Sequence, residues 1–131
     1  SGKFRLSWCV EPQDASKRNL NIPILRYADV LLMYAEAENF LNNGPTSEAK
    51  NALKEVRERA GIADMEIPST QTAFDDALAQ ERKWEFATEF MLRTDLIRMG
   101  RLAKEIAQTK QDMKDLSDKR GAYANVATYR L

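Results

Sequence analysis

A chain of 131 residues that is 44% hydrophobic and 31% charged has the composition of a globular domain with a modest core. Its twenty basic and twenty acidic residues cancel, so it lacks the basic excess that marks a nucleic-acid surface. Histidine is absent, Cys9 is the one cysteine, and no apolar run is long enough to span a membrane; histidine-based nucleophiles, histidine metal sites and an internal disulfide are excluded.

Residues 3–10, KFRLSWCV, alternate loosely between polar and apolar and predict a short strand or extended arm. The polar stretch EPQDASKRNLN predicts a loop, and Pro23 stands just before a first helix over 25–42. Apolar residues cover most of that helix's circumference. Asp29 and Glu36 fall on one narrow line, read as a thin solvent seam, while Glu38 falls among apolar residues and calls for a basic partner. Asn43-Gly44-Pro45 ends the helix, with glycine as the cap. Thr46 or Ser47 opens a second helix over 47–60, whose stripe is Ala49, Ala52, Leu53, Val56 and Ala60, and Gly61 closes it.

After the loop IADMEIPSTQ, Thr72 and Asp75 resemble a capping box opening a third helix over 73–90. Here the pattern becomes unusual. At about 100° per residue, Glu81 and Glu85 lie about 20° to either side of Phe74, on the centre of the Phe74–Ala77–Leu78 stripe. A carboxylate carried into a core needs a fixed partner, since an unpaired buried charge costs several kcal/mol. Arg82, Arg93, Asp95 and Arg98 follow within a few turns, and Arg57 and Arg59 on the second helix are further candidate partners. A fourth helix over 92–108 carries the stripe Leu92, Leu96, Met99, Leu102, Ala103 and Ile106, with Gly100 marking a kink or close approach. From Gln108 the periodicity fades into an irregular, solvated tail. The whole predicts one all-α domain over residues 1–131, with about four helices in hairpins.

The first two helices fit a TPR hairpin, with Ala37, Phe40, Gly44 and Ala49 at its small, aromatic, turn and second-helix positions. The chain also carries three ordered motifs: IPILRYADVLLMYAEAENFL, EAKNALKEVRERAGI, and ERKWEFATEF followed by MLRTDLIRMG. Together they resemble the C-terminal part of the SusD/RagB family. That resemblance implies a helical solenoid of TPR-like hairpins and a role in glycan or nutrient binding at the outer membrane of Bacteroidetes. It implies a TonB-dependent, SusC-like transporter as partner and attachment through an N-terminal lipid anchor that this chain does not carry. It further implies that the chain is a fragment, mainly scaffold, of a longer protein that is not an enzyme and uses no cofactor. None of the three motifs is a glycan site in the family, so no binding residue carries over.

Two functional readings of individual residues remain. Glu81, Arg82, Glu85, Arg93, Asp95 and Arg98 are read as a structural ion-pair network, a lock between the third and fourth helices, in preference to paired carboxylates for acid–base catalysis. Trp8, Tyr123 and Tyr129 lie outside the regular helices and are weak candidates for stacking on sugar rings; docking of the termini onto the helices is the preferred reading. Asp112, Asp115 and Asp118 lack the spacing of a calcium loop, and the lysines among them make a solvated stretch. A helical protein–protein interaction module without sugar binding is the alternative function.

Overall fold

The computed structural model describes residues 23–126. Among them lie five α-helices: α1 (Tyr27–Leu41), α2 (Ser47–Ala60), α3 (Gln71–Glu85), α4 (Leu92–Arg98) and α5 (Leu102–Ser117). A 3-10 turn follows at Gly121–Tyr123, and the described residues contain no strand. The arm expected over residues 3–10 lies outside the described residues. The chain divides into two compact units, the first ending at Glu89 and the second beginning at Phe90.

In the first unit α1 packs against both α2 and α3. Leu32 and Ala35 of α1, Ala49, Leu53 and Val56 of α2, and Phe74 and Leu78 of α3 form its core. Each large apolar side chain so buried stabilises the unit by roughly 1.5–3 kcal/mol. The hairpin turn is held by side chains. The Thr46 hydroxyl accepts from the Ala49 N–H at 3.1 Å, capping α2, and donates to Glu38 at 3.0 Å. Asn42 donates to the same carboxylate at 3.2 Å, so Glu38 takes an amide and a hydroxyl rather than the expected basic partner. Asn39, fully buried, donates to the Gln71 carbonyl at 3.0 Å, and Gln71 donates back to the Asn39 carbonyl at 3.3 Å. This exchange ties the end of α1 to the start of α3.

Helices α1, α2, α4 and α5 end in the same way. One residue adopts the left-handed region, and the next N–H reaches back five residues: Gly44 to Asn39, Ile62 to Arg57, Arg101 to Leu96 and Arg120 to Asp115. At α1 the left-handed residue is Asn43 (φ 54°), not the expected Gly44. Asparagine tolerates this region better than other side-chain-bearing residues.

Helix α2 occupies the expected span, but its buried stripe differs: Ala60 is exposed and Arg57 is buried instead. Within α1, Ala37 and Phe40 face outward, so the small residues buried in the hairpin are Ala28 and Ala35. Helix α3 starts at Gln71, capped by the Thr70 hydroxyl accepting from Ala73 N–H at 3.4 Å, not by Thr72. It stops at Glu85, short of residue 90. Thr88 (φ 70°) and Phe90 (φ 64°) both take left-handed backbone, which continuous helix forbids.

The second unit holds α4 and α5, which replace the single helix expected over 92–108. Gly100 (φ 66°) separates them, closing α4 with its N–H bonded to the Ile97 carbonyl at 3.0 Å. Helix α5 then runs to Ser117, through residues expected to be irregular tail. Side-chain pairs one turn apart support that extension: Gln108 donates to Asp112 and Gln111 to Asp115, each at 2.9 Å.

The α2 cap provides a clean test of backbone conformation. A Cβ built on Gly61 (φ 79°) meets nothing within 4 Å, so an alanine there suffers only the left-handed penalty. Gly61→Ala should lower stability by about 1 kcal/mol in urea unfolding. A change near zero would show that the cap does not hold this geometry.

Candidate functional site

The charged cluster of the first unit is built from three helices. Glu81 and Glu85 of α3 are both buried, at 2% and 7% exposure, on the apolar side of their helix. One helical turn separates them, so each meets a different neighbour. Glu81 accepts from Arg57 Nε of α2 at 2.9 Å, with both side chains at most 3% exposed. Arg57 also donates to the carbonyls of Glu66 at 3.1 Å and Met65 at 3.4 Å, which fixes the loop before α3. Glu85 accepts from Arg26 at 2.8 Å on one oxygen and from Arg59 on the other. Arg82 donates to Asp29 of α1 at 2.7 Å, again with both partners nearly inaccessible.

Arg26 joins α1 to the turn beyond α3. It grips Glu89 with two parallel hydrogen bonds, at 2.8 and 3.1 Å, and adds a bond to the Glu85 carbonyl at 3.1 Å. The planar guanidinium is suited to this paired grip. Burial disfavours the charge on Arg26, but its hydrogen bonds to the Glu89 and Glu85 carboxylates, with their charge, outweigh it and raise its pKa above the ordinary value. The guanidiniums of both Arg26 and Arg82 lie over the Phe86 ring, each 4.9 Å from its centroid. Phe86 is itself buried and Arg82 is 3% exposed, so that contact is desolvated and worth on the order of 1–2 kcal/mol, while Arg26 keeps 27% of its side chain in solvent.

Of the residues expected in the network, Glu81, Arg82 and Glu85 converge on α1 and α2. Asp95 and Arg98 pair with one another within α4, at 2.9 Å, and Arg93 is exposed. The expected solvent seam on α1 is not one: Asp29 is buried against Arg82, while Glu36 is half-buried. Arg26, Asp29, Phe86 and Glu89 escaped the sequence reading. Asp29 offered the one available signal, a carboxylate on a helix apolar in almost every other direction. Tyr123 is half-buried in the 3-10 turn of the second unit; Trp8 and Tyr129 lie outside the described residues.

An open cleft of about 290 Å³ lies in the first unit, lined by Arg26, Tyr27, Ala28, Leu31, Glu55, Val56 and Arg59. Both of its arginines already donate to Glu85. No group of three acidic or cysteine side chains able to hold a metal ion occurs among the described residues. Each of the buried carboxylates Asp29, Glu81, Glu85, Glu89 and Asp95 accepts from a guanidinium donor. The arrangement ties α3 to α1 and α2 through charge pairs.

The comparisons agree with this architecture. The SusD family model matches residues 3–130. The chain belongs to the SusD family. The SusD-like protein P25 of Formosa agariphila is 46% identical over 80 residues, covering 59% of this chain and 15% of that protein. The crystal structure of a SusD homolog from Bacteroides thetaiotaomicron superposes with a TM-score of 0.67 at 40% identity. It covers 73% of this chain and 19% of the homolog. The chain thus spans less than a fifth of the length of either relative, and its all-helical, TPR-like form is that of the family.

Removing one member of a buried pair leaves the other charge uncompensated. Glu81→Ala should cost about 3 kcal/mol or more, and Glu85→Ala should lower the melting temperature markedly. Exposed Glu48→Ala should change stability by no more than about 0.5 kcal/mol. Equal urea midpoints for the three variants would refute the structural weight given to the cluster.

Proposed function

We propose that this chain is a helical scaffold segment of a SusD-type capture protein. The longer protein would bind a glycan or another nutrient at the outer membrane, held there by an N-terminal lipid. It would hand its ligand to a TonB-dependent, SusC-like transporter beside it. The observation that carries this reading is the family match along residues 3–130.

The geometry of the first unit supports the scaffold assignment within that reading. An acid–base pair needs carboxylates open to a substrate proton. Glu81, Glu85 and Asp29 are instead each buried and accept from at least one arginine brought in from another part of the unit. A sugar site needs an exposed aromatic platform backed by free polar groups. The cluster holds Phe86 buried beneath two guanidiniums, the reverse of that arrangement. The ligand chemistry then belongs to other parts of the longer protein.

Calorimetric titration with an oligosaccharide panel tests both halves. The full-length protein should bind a member of the panel and co-purify with an outer-membrane transporter, while the 131-residue chain alone binds none tightly. Full affinity in the isolated chain would overturn the scaffold assignment. A full-length protein that binds no panel member and isolates without a transporter would overturn the capture reading.

A further inference from the structure

The turn between α1 and α2 carries the sequence's single Asn-Gly step, Asn43-Gly44. Asparagine is a labile residue, and most so before glycine, whose nitrogen has no side chain beside it to hinder attack on the preceding Asn Cγ. That attack forms a bond from the Gly44 nitrogen to Asn43 Cγ and breaks the Cγ–Nδ2 bond. Nδ2 leaves as ammonia, taking the proton that Gly44 gives up. The succinimide ring so formed then takes up water at either of its carbonyls, leaving aspartate or isoaspartate at position 43. The reaction consumes water alone.

The folded hairpin holds the nucleophile in another bond. Gly44 N–H donates to the Asn39 carbonyl at 2.9 Å, closing the cap of α1, and Asn43 is the left-handed residue of that cap (φ 54°). The acceptor is itself anchored. Asn39 is fully buried, its carbonyl also accepts from Gln71 at 3.3 Å, and its side chain donates to the Gln71 carbonyl at 3.0 Å. Beyond the turn, Asn42 and Thr46 both donate to Glu38, which draws the start of α2 to the end of α1. To reach Asn43 Cγ, the Gly44 nitrogen has to release Asn39, turn about the Asn43 Cα–C bond and lose its proton.

We propose that Asn43 is a deamidation site gated by the α1 cap, closed in the folded hairpin and reactive when the hairpin opens. Local opening, not the intrinsic chemistry, then sets its rate in the folded chain. The product alters the joint that gated it. Aspartate places a negative charge at the C-terminal end of α1, where the helix dipole disfavours it and Glu38 already stands. Isoaspartate lengthens the main chain by one atom between positions 43 and 44, so the Gly44 N–H no longer meets the Asn39 carbonyl in register. Because Asn39 also ties α1 to the start of α3, the change reaches beyond the turn. Loss of ammonia is irreversible, so the site accumulates a record of hairpin opening.

Incubating the 131-residue chain in mildly alkaline heavy-oxygen water, folded and in urea, labels each asparagine that converts, and peptide mass spectrometry reads the label. In urea Asn43 should convert many-fold faster than Asn51, which is followed by Ala52. Gly44→Ala should suppress that conversion in urea, where no fold is required. In the folded chain Asn43 should react several-fold more slowly than in urea. Thr46→Ala and Gln71→Ala leave Asn43-Gly44 intact and loosen the joint from either side, through Glu38 and through the Asn39 carbonyl. Each should speed Asn43 several-fold in buffer while the far-ultraviolet circular dichroism stays unchanged. Conversion of Asn43 at the Asn51 rate in urea would overturn the site. Equal Asn43 rates in buffer and in urea would overturn the gate, as would two folded variants that react no faster than the parent chain.

Discussion

The first unit depends on how buried carboxylates find arginines. Glu81 and Glu85 sit where a helix of this class would ordinarily carry leucine or alanine. Moving them out of water costs several kcal/mol each unless a fixed donor replaces the lost hydration. Arg57 meets Glu81, while Arg26 and Arg59 share Glu85. Once those pairs exist, α3 cannot rotate or slip by one residue without stranding a charge. A hydrophobic stripe tolerates such slips far better, because one apolar contact replaces another at small cost. The pairs therefore specify arrangement more than they add net stability, which is the attested use of buried polar groups.

Arg26 and Arg82 extend this logic through Phe86. A lone phenylalanine after a helix end would pack wherever the core had room. Here two guanidiniums, each held by a carboxylate, lie over its ring. The aromatic ring thereby reads the position of α1 through Arg26 and the position of α3 through Arg82. The turn after α3 is held by the same residues, since Arg26 binds both Glu85 and Glu89. That constraint accounts for the early end of α3. The backbone leaves the helix after Glu85 and bends, with Glu89 N–H bonded to the Phe86 carbonyl at 3.0 Å, so that Glu89 can reach Arg26.

What the sequence disclosed follows the range of the interactions. The bounds of α2 were legible because their signals are local: Thr46 before it and Gly61 after it. The burial of Glu81 and Glu85 was legible from periodicity alone. Their partners were legible only in part, because Arg57 and Arg59 declared themselves on a helix flank whereas Arg26 lies 59 residues from Glu85 in the chain. Asp29 was misplaced because the wheel of α1 has two apolar sides, and periodicity cannot say which one a neighbouring helix covers. The break at Gly100 was visible as a glycine but not as a terminus, since a mid-helix glycine and a capping glycine look alike without the backbone. Helix α5 was missed beyond Gln108 because its apolar stripe thins there to Met113 and Leu116 among charged and amide side chains, and none of its residues is buried.

The same distinction bears on where function resides. A binding surface for small molecules needs polar groups held in place yet still free to bond a ligand. In the first unit the organised side chains have already found protein partners, and they were placed by the motifs that assign the chain to its family. On the scaffold reading proposed above, family identity and ligand recognition rest on different residues. The motif residues pair with one another across α1, α2 and α3. On that reading, a frame whose charges pair largely within itself allows segments joined to it to change in sequence while the fold persists.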